Sequence, residues 1–119
     1  MKSIYFSYDA EGDILEASFA PEEPGRRTGI ELNDNIVVFA DSALSKATGV
    51  TLLSYSRLLL LPQITLDALP SLSEDKLDKL FVLLQAPPLA NFLQTIDRAR
   101  LLCKVLNPNV QELVEIGPR

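Results

Sequence analysis

Tyr8-Asp9-Ala10-Glu11-Gly12-Asp13-Ile14-Leu15 sets an acidic turn between two stretches in which polar and apolar residues alternate. That alternation commits the N-terminal half of the chain to β-structure. Upstream, Ile4, Phe6 and Tyr8 fall on one face of a period-two ladder, with Ser3, Tyr5 and Ser7 on the other. Downstream, Leu15, Ala17 and Phe19 oppose Ile14, Glu16 and Ser18. Asp9 can accept a hydrogen bond from its own downstream backbone and Gly12 can supply a positive φ, two properties that close hairpins.

Working outward, Pro21-Glu22-Glu23-Pro24-Gly25-Arg26-Arg27 interrupts the pattern, because two prolines and a glycine do not fit a central strand. It is expected to be an exposed connection. A third strand follows at 28–32, Asn33-Asp34-Asn35 reverses the chain, and 36–40 is a continuous apolar run suited to a central strand. Residues 50–55 form a fifth strand. All connections are short, so the simplest arrangement is a meander in chain order.

Beyond Leu61 the period changes. Ser73-Glu74-Asp75 offers a capping oxygen and two acids near the positive end of a helix dipole, and Leu77, Leu80, Phe81 and Leu84 follow at i, i+3, i+4 and i+7. Pro87-Pro88 must end that helix. Leu89, Phe92, Leu93 and Ile96 repeat the spacing, with Leu101, Leu102 and Val105 widening the stripe, which predicts a second helix up to Asn107-Pro108-Asn109. Residues 110–116 fit either a short helix or an extended tail, and Gly117-Pro118-Arg119 is expected to fray. The predicted fold is thus α+β in a single domain: an antiparallel meander of about five strands (1–60), then two or three C-terminal helices (61–119).

Composition narrows the function. The chain has 119 residues, 47% of them hydrophobic, enough for one core, and it contains 16 acids against 11 basic residues with no histidine, for a net charge of −5. A surface of that sign disfavours nucleic acid and anionic membranes. The lack of histidine removes the one side chain that titrates unperturbed between pH 5 and 8, and with it histidine-dependent triads and zinc sites. Cys103 is the single cysteine, which rules out an intramolecular disulfide and fits a reducing cytoplasm. The charged N-terminal twenty residues do not read as a secretory signal, and the apolar runs at 36–40, 58–61 and 80–84 fall short of the ~18 residues that span a bilayer. A cytoplasmic location is expected.

Four groups invite a chemical reading. Asp9, Glu11 and Asp13 alternate like the first ligands of a calcium loop, but such a loop needs glycine sixth and glutamate twelfth, where Ile14 and Ala20 stand. Glu16 and Glu31, on strands two and three, are candidates for a paired-carboxylate site of the glycosidase kind, with no tryptophan platform beside them. Arg26-Arg27 could clamp a phosphate or carboxylate but read as solvated loop charges beside Glu22 and Glu23, and the Arg98, Arg100, Lys104 set reads as a solvated outer face of the second helix. Cys103 reads as a small buried hydrophobe.

The motif Tyr8-Asp9-x-Glu11-x-Asp13-x-Leu15, followed by short strands over roughly residues 3–60, resembles a small bacterial family of unknown function whose members open with a Tyr-Asp-x-x-x-Asp-x-Leu hairpin. A later strand in that family reads Ile-Gly-hydrophobic-Glu. Thr48-Gly49-Val50-Thr51-Leu52 looks similar, without the glutamate. Some members resemble the second gene of toxin and antitoxin pairs, which implies binding and neutralising a basic protein.

Charge segregation points the same way. Residues 1–70 hold ten acids and five basic residues, and residues 71–119 hold six of each, so the acidity belongs to the β part. The expected function is a non-enzymatic protein-interaction module, antitoxin-like, that binds a basic protein through Asp9, Glu11, Asp13, Glu16 and Glu31, with no cofactor or metal. The alternative is a carboxylate-dependent enzyme using an external metal. The leucines at 58–61, 66, 69 and 72 lie outside the clear helix and would make a large apolar patch if exposed, which predicts a homodimer.

Overall fold

A computed structural model describes residues 5–19 and 27–107. The connection at 21–26 and the segment 110–116 lie outside the described residues. The N-terminal half forms β1 (Tyr5–Asp9), β2 (Ile14–Ser18), β3 (Arg27–Asn33), β4 (Ile36–Asp41) and β5 (Ala47–Leu53). All pairings are antiparallel, but the strand order is β1-β2-β5-β4-β3 rather than the chain-order meander. The β3-β4-β5 segment does meander; the β1-β2 hairpin then docks on β5, which becomes the central strand. Ser18 and Arg27, consecutive strand ends in sequence, are thus three strand spacings apart, about 14 Å.

Register follows the period-two pattern. Phe6, Ala17, Val50, Val38 and Ile30 form one row across the inner face, in the order of the strands. Leu15, Leu52 and Ile36 belong to the next row and are buried. Leu32 and Thr48 are extra residues at bulges, which re-aim the strand ends.

The second half covers this inner face, and here the expected architecture is overturned. After a single turn α1 (Tyr55–Leu58) come β6 (Ile64–Thr65), α2 (Glu74–Leu84), β7 (Leu93–Asp97) and β8 (Leu102–Val105). The protein is mostly β, with eight strands in two antiparallel sheets and one helix of any length among the described residues. The second sheet has the order β6-β8-β7. α2 matches the sequence pattern: Ser73 Oγ accepts the Lys76 N–H at 3.3 Å, and Leu80, Phe81, Leu83 and Leu84 are buried.

The predicted second helix is a hairpin. Leu89 lies in a 3-10 turn, Leu93 begins β7, and Ile96 is the extra residue of a bulge between Thr95 and Asp97, where it is exposed rather than buried. Two physical reasons favour strands. Cys103 and Val105 alternate with half-exposed Leu102 and Lys104, a β period, and β6 gives β8 a second pairing partner. Pairing on both sides satisfies backbone groups that a helix ending at Asn107 would have met internally.

Phe92, fully buried, joins the two halves: its ring lies 5.6 Å from Phe6 and 5.9 Å from Phe19. The Ala68 N–H donates to the Leu32 carbonyl at 3.1 Å, and Tyr55 Oη donates to the Leu106 carbonyl at 3.3 Å. Leu58, Leu66 and Leu69 are buried and Leu72 is half-buried within this one chain, so the leucine excess needs no second subunit; only Leu60 and Leu61 of that set remain exposed. None of the described helices is long and apolar enough to cross a membrane.

Candidate functional site

The hairpin acids do not converge. Asp9 Oδ1 accepts the Glu11 N–H at 3.1 Å, which closes the turn, and Glu11 is exposed at its tip. The left-handed residue of the turn is Asp13, with φ 57°, and not Gly12. Aspartate tolerates that region better than most residues because its short side chain bonds locally.

Asp13 instead faces the start of α1. Its Oδ1 accepts the Tyr8 hydroxyl at 2.7 Å and the Ser56 N–H at 3.0 Å, and its Oδ2 accepts the Ser56 hydroxyl at 2.7 Å. Its backbone carbonyl accepts the Tyr55 N–H at 2.9 Å. The residue that would cap α1 in sequence, Ser54, is itself left-handed and makes no side-chain cap, so Asp13 supplies the missing acceptor from another element. The hydrogen bonds from Tyr8 and then Ser56 hold its carboxyl below the usual range, while the same contact raises the Tyr8 phenol. Of the residues quoted for the family resemblance, Tyr8 and Asp13 bond each other, Asp9 closes the turn and Leu15 is in the core, while Glu11 is exposed and contributes only its backbone N–H.

Glu16 and Glu31 occupy the opposite, outer face of the five-stranded sheet. One row there reads Ser7, Glu16, Thr51, Val37, Glu31 across β1-β2-β5-β4-β3. The two glutamates are three strands apart, about 14 Å, whereas paired catalytic carboxylates sit at about 5–9.5 Å. The expected carboxylate pair is not assembled, because it assumed that β2 and β3 were neighbours. Both glutamates are exposed, and neither enters an ion pair or hydrogen bond among the described residues. Half-buried Ile14, Leu53, Val37 and Phe39 lie on the same face.

The neighbouring row is Tyr5, Ser18, Gly49, Phe39, Gly29. Glycines on either side leave the Phe39 ring uncovered, and the Arg27 guanidinium stacks on it with 4.3 Å between Cζ and the ring centroid. The sequence offers Arg27 only as a loop charge; its seat on Phe39 was not legible because the glycine-aromatic-glycine row appears only once the register is known. The other basic residues do not share one helix face. Arg98 pairs with Asp78 and lies over Phe81, Arg100 sits in the β7-β8 turn, and Lys104 Nζ donates to the Leu61 carbonyl at 3.2 Å.

Cys103 is buried, and burial pushes its thiol up to about 11, the opposite of what a nucleophile needs. Among the described residues no group of three or more histidine, cysteine, aspartate or glutamate side chains is arranged to hold a metal ion. The chain matches no protein-family model, no curated protein and no solved structure.

Proposed function

We propose that the protein is a non-enzymatic interaction module whose outer sheet face binds a basic protein partner. The observation that carries this reading is the row containing Glu16 and Glu31: two exposed carboxylates without partners among the described residues, separated by Thr51 and Val37 on a rigid sheet. Beside it, Ile14 and Leu53 supply half-buried apolar surface for the centre of an interface, Asp9 adds a further exposed acid at the β1 end, and Phe39 is capped by the Arg27 guanidinium. Such a face suits a partner with two basic side chains at matching spacing and an apolar strip between them. An antitoxin-like role, with a small basic toxin as that partner, is the specific form of the proposal and rests on the hairpin resemblance.

The test starts with affinity purification from the native cell, followed by titration of the purified co-eluting protein against wild type and the Glu16→Lys/Glu31→Lys double variant. The expected result is binding that weakens with rising salt and falls at least tenfold in the double variant, an effect typical of charge reversal at an interface rim, roughly 1.4 kcal/mol or more. Salt-independent binding that tolerates both reversals would sink the proposal.

A further inference from the structure

The sheet has two edges, and their hydrogen-bonding capacity can be worked out from the register. The Phe19 N–H donates to the Thr48 carbonyl on β5, so the odd-numbered residues of β2 bond to β5. Glu16, with its even-numbered neighbours, then bonds to β1, where its partner is Ser7. On β1 the alternate residues Phe6 and Tyr8 consequently direct their N–H and C=O groups away from the sheet. The other edge differs in being interrupted: β3 carries a bulge at Leu32, whose carbonyl accepts the Ala68 N–H, so only Arg27, Gly29 and Glu31 present their backbone groups outward in regular register.

β1 is weakly protected as an edge strand, its one charge, Asp9, lying at its end. It has no proline, no lysine and no bulge, and its aromatics Tyr5 and Tyr8 are 39% and 51% exposed. We propose that a second copy of this chain pairs with the first through antiparallel β1-β1 addition, on a two-fold axis at Ser7.

The register is chosen by the strand itself. An axis at Ser7 opposes Phe6 to Tyr8 of the other copy in hydrogen-bonded pairs, which gives four backbone hydrogen bonds and places two aromatic rings side by side. Ser7, small and exposed, faces itself in the close pair at the axis, and Asp9 faces Tyr5 rather than another Asp9. Shifting the axis to Tyr8 shortens the overlap and opposes Phe6 to turn residue Ala10. The self-complementary order is a requirement of an isologous contact.

Pairing in this register continues the sheet from five strands to ten, and it deepens the proposed function, on which this last step rests. The row through Ser7 becomes Glu31, Glu16, Glu16, Glu31 across the two copies. Glu31 to Glu16 is three strand spacings, and Glu16 to the second Glu16, through the two β1 strands, is again three, about 14 Å each. The dimer therefore presents four carboxylates at even intervals, a surface for a partner that is itself repeated or dimeric.

The experiment reads mass and cross-linking, independently of any partner. Light scattering and sedimentation of the wild-type chain are expected to give twice the 13.1 kDa chain mass, falling to one chain in Ser7→Lys with an unchanged circular dichroism spectrum. In Ser7→Cys, the two axis residues lie at the about 4.5 Å Cα separation of a close antiparallel pair, within disulfide range, so diamide is expected to link two chains rapidly. Thr51→Cys, at the sheet centre on the same row, is the control and is expected to stay single. A single-chain mass throughout, or a dimer that ignores Ser7→Lys and does not cross-link in Ser7→Cys, would overturn the inference.

Discussion

The Asp13 carboxylate accepts both the N–H and the hydroxyl of Ser56, 43 residues downstream. This contact ties the first hairpin to the start of the segment that crosses under the sheet. Asp13→Ala removes the cap of α1 and puts a residue without a local acceptor into a left-handed conformation. The variant is expected to melt several degrees lower than wild type, and Asp13→Asn, which tolerates the same backbone region, less so. Thermal unfolding by circular dichroism separates the two.

The same contact has a pH signature. The folded Asp13 carboxyl titrates below its ordinary value of 3.8, first because of Tyr8 and then Ser56, and Asp41 is lowered in the same direction, chiefly by the Ser45 hydroxyl. A depressed carboxyl contributes stability above the unfolded value and loses it as pH falls through the folded one. Wild-type stability is expected to decline below about pH 4, with a shallower decline in Asp13→Asn. Urea midpoints measured from pH 2 to pH 7 provide the check; parallel acid limbs would count against the assignment.

Two glycines on the outer face should respond differently to alanine. A Cβ on Gly49 would come within 2.8 Å of the Ala17 carbonyl oxygen, a backbone atom of the paired strand that cannot move alone. A Cβ on Gly29 would meet the edge of the Phe39 ring at 3.1 Å, which can tilt. Gly49→Ala is expected to cost about 2 kcal/mol, in the range of overpacked sites, and Gly29→Ala under about 1. Denaturant titration of both variants tests the order, which matters more than either value.

Phe92 should be the costliest single truncation. It is fully buried and contacts Phe6 on β1 and the ring of Phe19 beyond β2. Phe92→Ala is expected to lose about 3–5 kcal/mol, a large share of the ~5–15 available to a domain of this kind. Loss of the cooperative urea transition, or its shift to much lower denaturant, is the expected observation.

These contacts also explain what could be read in the chain. The first five strands and α2 were legible because local signals agreed with the final packing: alternation about the Asp9–Asp13 turn, and Ser73 followed by Leu77, Leu80, Phe81 and Leu84. Strand order was not legible, because no local signal says that β5 should enter between β2 and β4. Leu89, Phe92, Leu93 and Ile96 misled for a more specific reason. Their helical spacing is produced by a 3-10 turn, a strand and a bulge in succession, each contributing one or two apolar residues. The β7-β8 turn gives little warning, since its left-handed position is Leu101, with φ 58°, where glycine or asparagine would have announced it. For the candidate site, the acids were legible as residues, while the distance between Glu16 and Glu31 depended wholly on strand order.

Cys103 offers a probe of the second sheet. Its thiol is buried on β8 between β6 and β7, and burial raises its pKa from 9.0 to about 11. Native protein is expected to react with a thiol reagent at neutral pH only through opening of the β7-β8 hairpin, far more slowly than the unfolded chain. Because the folded thiol is the weaker acid, its contribution to stability is complete below the unfolded pKa and is lost as pH rises from about 9 towards 11. Cys103→Ala is therefore expected to flatten the alkaline limb of the stability profile while leaving the acid limb set by Asp13 unchanged. Fast labelling of the native protein would instead mean that β8 is open to solvent and that the second sheet does not close over the thiol.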